Sequence, residues 1–169
     1  MSNNIIHKRI QRLEVLLALI LILIPGILIL FTGEVRASIS DYAYSKADNL
    51  FSGLLWISAA LFLYNGMYTN KWYNFVLATT LIGVSLTDHL EYTILHYTLA
   101  GLFFLGTMLV MVVYSSQKQR VYKVWVSLFM LVVLTSSILF KTMSLLVAEW
   151  ICLAPISIHF IGESLNKID

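Results

Sequence analysis

The chain has 169 residues, of which 59% are hydrophobic and only 12% charged, with a net charge of +2 and a mean hydropathy of +0.84. An average soluble domain is about 25% charged, and a domain this small leaves much of its surface in water, so the composition argues against a soluble fold and leaves room for one bundle in lipid. The lone cysteine, Cys152, excludes an internal disulfide and a cysteine-rich metal site, and nothing suggests a nucleic-acid partner.

A helix needs about 20 mostly apolar residues to cross a hydrocarbon core of about 30 Å. Six segments meet or approach this: Leu13–Phe31, Leu50–Tyr68, Trp72–Thr87, Tyr92–Tyr114, Val121–Phe140 and Thr142–Leu165. The expected fold is all-α, a single polytopic transmembrane helix bundle of six spans. The first segment has the basic start of a signal peptide (Lys8, Arg9, Arg12), but its apolar run exceeds the usual signal core of about 7–15 residues, so it reads as a retained span. Pro25-Gly26 lies mid-span, where a kink is tolerable if a neighbouring helix covers the freed carbonyl. The third segment is the shortest. Little more than Lys141 separates the fifth from the sixth, which requires a tight hairpin.

Basic residues set orientation. One side collects Lys8, Arg9, Arg12, Lys71, Lys118, Arg120, Lys123 and Lys167, and the other only Arg36, Lys46 and Lys141. Both termini are therefore expected to be cytoplasmic. The outer side gathers acids instead: Glu34, Asp41, Asp48, Asp88 and Glu91. Tyrosines and tryptophans, among them Tyr68, Trp72, Tyr114, Trp125, Tyr97 and Trp150, fall at the span ends, where amphipathic rings favour the headgroup level.

Ionisable groups within a span are costly and are functional candidates. Here they are His96, Glu149, His159 and Glu163, with Asp88 and His89 at the outer mouth between the third and fourth spans. In the last span Glu149, Cys152, Ile156, His159 and Glu163 fall within an arc of about 80°, a stripe expected to face the bundle. Glu149 and His159 are about 15 Å apart along the helix, too far to share one site. His96 and Glu149 lie at comparable depth and could pair across helices, either as part of a ligand site or as interhelical glue. Asp88, His89, Glu91 and His96 suggest a metal, yet the ligand count and spacing match no recognised site, so no metal or cofactor is expected. Ser38, Ser40 and Asp41 could hold a nucleophile, but such residues more often cap a helix. The small-residue faces Ser52/Ala59/Gly66 and Thr80/Gly83/Thr87 read as packing surfaces.

The run SISDYAYS (Ser38–Ser45) resembles the SISDYYY-like start found in small, uncharacterised bacterial multispan proteins. ILHYTLAGLFFLG (Ile94–Gly106) resembles their HYxxA-like helix, and Glu149-Trp150 their closing acidic helix. The resemblance implies a multi-pass protein of a bacterial inner membrane with Asp41, His96 and Glu149 as a linked set, and it implies no activity. A more distant likeness is to the CREST superfamily of membrane hydrolases, which would place Ser85, Asp88, His89 and His159 around zinc. This chain departs from that pattern in its six spans, where seven are expected, and in offering only His159 in the last. Three functions follow as expectations. The first is a non-enzymatic protein binding a lipid, small ligand or protein partner in an outer-half polar pocket around His96, Glu149 and Asp41. The second is an oligomeric ion or proton channel or transporter using the Glu149–His159–Glu163 stripe. The third is an outer-leaflet lipid hydrolase.

Overall fold

The computed structural model describes residues 2–165, without the side chains of residues 2–7 and 9. They form six α-helices and one short 3-10 helix: α1 (Ser2–Thr32), the 3-10 turn (Ser40–Tyr44), α2 (Asp48–Thr69), α3 (Tyr73–Leu86), α4 (Thr93–Val113), α5 (Gln117–Phe140) and α6 (Leu145–Ser164). Lys167, counted with the basic side, lies outside the described residues, as does the Arg9 side chain.

Five of these helices are long and apolar enough to cross a membrane. The exception is α3, whose 14 residues rise about 21 Å against a core of about 30 Å. It stops at Leu86 because Thr87 is extended (φ −102°, ψ 120°). The turns behave as their residues dictate. Asn70 ends α2 at φ 55°, in the left-handed region that asparagine tolerates. Lys141 takes the same conformation (φ 51°) after α5, and Ser144 caps α6 by accepting from the Val147 amide at 3.4 Å. The expected tight hairpin is thus residues 141–144.

The helices assemble around α6. Of its apolar stretch 56% is buried, against 22% for α5, so α6 is central and α5 peripheral. Helix α1 lies along α6 and shows it a stripe of Leu17, Leu21, Ile24 and Leu28, all buried. Pro25 sits within α1 without breaking it. Trp150 of α6 is half-buried there, and its indole Nε1 donates to the Ile22 carbonyl at 2.9 Å. The neighbouring helix therefore adds a donor one residue beyond Leu21, whose carbonyl is the one that Pro25 leaves without its helical donor. Phe62 of α2 meets Phe103 of α4 and Phe160 of α6 edge-on, at 6.3 and 5.3 Å between ring centres, a geometry aromatic quadrupoles favour.

Small residues let the helices close up. A Cβ on Gly66 would lie 3.1 Å from the Asn74 Cβ and the Phe75 ring, and one on Gly83 would lie 2.7 Å from Leu99. The small faces expected on the second and third spans do pack, against α3 and α4 respectively.

The bundle has two chemically distinct ends. The loop end holds residues 33–47 and the turns 87–92 and 141–144. The basic end holds the turns 70–72 and 114–116, with Arg12, Lys71, Lys118, Arg120 and Lys123 nearby.

Candidate functional site

At the loop end the chain between α1 and α2 is wedged against the tops of α4 and α6. The Tyr42 side chain is fully buried and its hydroxyl donates to the Glu34 carbonyl at 2.7 Å. Ser38 and Asp41 bond reciprocally: the Ser38 amide donates to Asp41 Oδ2 at 2.9 Å and the Asp41 amide to Ser38 Oγ at 3.2 Å. This pair resembles a capping box and closes the 3-10 turn. The start of α2 itself, at Ala47, has no side-chain cap.

Two side chains, from α4 and α6, grip consecutive residues of this loop. Glu149 Oε2 accepts the Ile39 amide at 2.8 Å. His96 Nδ1 lies 2.8 Å from the Thr87 carbonyl, an acceptor only, so Nδ1 carries the proton. His96 Nε2 is then the acceptor for the Ser40 hydroxyl, at 2.8 Å. The expected direct His96–Glu149 pairing is replaced by these two anchors, because the loop inserts between α4 and α6 and offers its own donors. Next to them His89 Nε2 lies 3.0 Å from Asp41 Oδ1, and the Tyr44 ring stands edge-on to His89 at 5.0 Å. Ser40, Asp88, His89 and His96 line a cavity of about 160 Å³. Asp88 is occupied locally, accepting the Leu90 amide at 2.7 Å. Among the described residues no group of three or more His, Cys, Asp or Glu is placed to hold a metal ion.

Glu149 also forms the floor of a much larger feature. Between α4, α5 and α6, in the half of the bundle nearer the loop end, runs a groove of about 900 Å³. Its walls are mainly apolar, with Phe104, Leu105, Leu131, Leu134 and Ile138, and Lys141 stands at its rim. The groove lies where α4 packs less closely on α6 than α5 does on either helix, and the α4 wall carries Gly101 where a side chain would project. A Cβ added there meets nothing within 4 Å.

The rest of the α6 stripe lies elsewhere. Beyond Glu149 come Cys152 and Ile156, both fully buried, and the Cys152 thiol faces the Met130 carbonyl at 3.6 Å. His159 and Glu163 belong to the basic end, far from Asp88, His89 and Ser85, so those residues do not gather into one site. Glu163 pairs with Lys71 and lies 3.8 Å from His159 Nε2. Burial pulls the Lys71 ammonium down, but the Glu163 carboxylate beside it outweighs this and holds Lys71 above its ordinary value of 10.5. Glu14 of α1 faces the same group, near Ser164, Lys71 and Asn65.

Several of these participants had a sequence signal that hydropathy alone passes over. Glu14 interrupts the first apolar run, and Asn65 and Asn74 are buried polar residues in the second and third. Lys123 belongs to the basic side in the sequence and lies at that end, yet it is only 3% exposed. The groove at Gly101 has no sequence signal, since it arises from the spacing of helices.

No curated protein and no solved structure matches the chain. Residues 16–164 match the family described as a family of unknown function (DUF7103). That match runs from the middle of α1 to the last residue of α6, so it takes in part of α1 and all of the other five helices, and the chain belongs to this family.

Proposed function

We propose that this member of DUF7103 is a six-crossing membrane protein that holds the acyl chain of a lipid or similar amphiphile in the groove between α4, α5 and α6. The observation that carries this reading is the groove itself. Its volume of about 900 Å³ falls in the range of small-molecule sites, about 300–1,000 Å³, and its apolar walls with a few polar groups match their usual lining. Glu149 contributes a carboxyl floor with Oε1 unengaged among the described residues, able to accept from a hydroxyl or amine of the ligand. Lys141, with no ion-pair partner among the described residues, stands where a headgroup would lie. The loop clamped by His96 and Glu149 roofs the same region.

Six crossings are supported by where the two ends of α3 reach. Lys71, just before it, pairs with Glu163 at the end of α6, and Thr87, just after it, bonds His96 in the first turn of α4. Residues 71–87 therefore run between the two ends of the bundle despite the short helix. The concentration of lysine and arginine at the basic end favours a cytoplasmic location for that end and for both termini. Lys46→Cys should react with a membrane-impermeant maleimide on intact cells and Lys118→Cys only after lysis, and the reverse pattern would overturn this orientation.

Photoactivatable lipid carrying a diazirine near the chain end tests the groove. Crosslinks are expected on α4, α5 and α6 peptides near Gly101, Leu134 and Leu145, and Gly101→Phe, which fills the groove without a backbone clash, should remove most of them. Gly53→Phe, at an equally open position on α2, should not. Crosslinking undiminished by Gly101→Phe would refute the reading.

A further inference from the structure

Ser40 sits at a closely held point of the loop. Ile39, just before it, gives its amide to Glu149 at 2.8 Å, and the reciprocal Ser38–Asp41 bonds close the turn around it. The Ser40 hydroxyl lies 2.8 Å from His96 Nε2, within the range of about 2.6–3.2 Å that a nucleophile keeps from its base. The far side of the ring fixes the direction of that bond. The Thr87 carbonyl at 2.8 Å can only accept, so the Nδ1 proton is committed there and Nε2 keeps its lone pair for the Ser40 proton. A hydroxyl, an imidazole and a third group that sets tautomer and ring orientation together make up the arrangement that activates a serine. The third group here is a neutral carbonyl and not a carboxylate, because Asp41 is taken up by the Ser38 amide and by His89.

A purely structural bond between loop and helix needs no empty space beside it, and this one has space on two sides. Ser40 and His96 line the polar cavity of about 160 Å³ together with Tyr44 and Ser85. Ser85 Oγ is buried and has no hydrogen-bond partner among the described residues. The Tyr44 hydroxyl accepts the Leu90 amide at 3.2 Å, which uses a lone pair and not its proton. Two hydroxyl donors therefore stand in the wall of the chamber that Ser40 lines, and such donors stabilise the oxyanion of acyl transfer. On its other side Ser40 joins Glu149 in lining an apolar cavity of about 50 Å³. Ala100, Phe104 and Glu149 belong both to that cavity and to the large groove. Ser40 thus stands where the apolar space of the bundle meets its polar chamber.

We propose that Ser40 and His96 hydrolyse carboxylic esters of apolar acyl chains; the choice of acyl chain rests on the groove reading above, and the chemistry rests on the dyad alone. Ser40 Oγ attacks the ester carbonyl carbon as its proton passes to His96 Nε2. The tetrahedral oxyanion then collapses, the bond from the carbonyl carbon to the alcohol oxygen breaks, and the imidazolium gives its proton to that oxygen, releasing an alcohol. Water attacks the Ser40 acyl ester in turn and gives one proton to Nε2. The carboxylic acid leaves as Ser40 Oγ takes that proton back. Water is the only co-reactant.

The full chain in nanodiscs, treated with a fluorophosphonate bearing a short alkyl chain, tests the dyad without the groove. Such a reagent phosphonylates an activated serine with loss of fluoride. Trypsin releases residues 37–46, which hold Ser38, Ser40 and Ser45, so two neighbours serve as internal references. The adduct is expected on Ser40 and not on the other two, and Ser40→Ala should carry none. His96→Gln should slow labelling by about 100- to 10,000-fold, the usual contribution of a positioned base. Glu149→Leu loosens the same loop without touching the imidazole and should slow labelling far less. Hydrolysis of p-nitrophenyl decanoate against the acetate reads the substrate. Wild type should turn over the decanoate about tenfold faster or more, since even one seated methylene can supply that factor, and Ser40→Ala should turn over neither. The dyad is overturned by folded wild type without an adduct on Ser40, by equal adducts on Ser38 and Ser45, or by His96→Gln labelling at the wild-type rate. Labelling of Ser40 with no preference for the longer ester would instead overturn the apolar-chain substrate, and the groove reading with it, while the dyad stands.

Discussion

Replacing Glu149 by leucine removes the acceptor of the Ile39 amide and leaves that buried N–H without a partner. The cost of stranding such a donor is about 1–3 kcal/mol, which corresponds to about 5- to 150-fold in an equilibrium constant. The cost should fall on one local event, the lifting of residues 38–44 from the tops of α4 and α6. The loop keeps its other holds: the Ser40–His96 bond, and the bond from the Leu146 amide to the Ala37 carbonyl at 2.7 Å. Global unfolding should therefore change less than loop opening. Amide hydrogen exchange in nanodiscs measures this directly, with the middle of α2 as internal reference. In Glu149→Leu the amides of residues 38–44 should exchange about 5- to 150-fold faster while α2 is nearly unchanged. Glu149→Gln retains an oxygen at the same reach and should accelerate exchange much less. Equal acceleration in both variants, or none in either, would refute the view that Glu149 acts as the acceptor anchoring this loop.

Gly66→Leu should force α2 away from Asn74 and Phe75 at a cost of about 1–3 kcal/mol, offset by up to about 1 kcal/mol of helix propensity. A lower Tm is expected, whereas Gly53→Leu on the same helix meets open space and should raise it slightly. The Lys71–Glu163 pair predicts an alkaline limit. Because the folded Lys71 lies above its ordinary 10.5, its contribution is fully present below that value and is lost as pH rises through the folded one. The Tm difference between wild type and Lys71→Met should therefore be constant near neutrality and close well above pH 10.5; a difference that persisted there would remove the ion pair as its cause.

Hydropathy made most of the helix ends legible, because a chain this apolar has few ways to hide its backbone polar groups except in helices. The hairpin at Lys141 followed from the shortage of residues between two long apolar runs. Asp41, His96 and Glu149 could be singled out because charge and imidazole are conspicuous in such runs, and the structure brings all three to one loop. What each of them bonds was not legible. Comparable depth suggested that His96 and Glu149 would meet, but depth along a helix carries no information about a loop inserted between two helices. Lys123 lies at the basic end with which the sequence groups it, but its burial was not legible for a related reason: position near a helix end sets the level of a side chain, not the face on which it lies. The groove depends on the loose packing of α4 on α6, a property of helix packing that no single segment encodes.

The bond between Trp150 and Ile22 joins residues 128 positions apart. At synthesis rates of about 5–20 residues per second, the first helix waits roughly 6–26 s for the indole that packs beside its proline. Until the last helix arrives, the Ile22 carbonyl lacks this second donor and the buried stripe of α1 lacks the helix it packs along. Completion of this bundle is thus tied to the end of translation, and a nascent chain cut short before α6 would leave the first helix without its main packing partner.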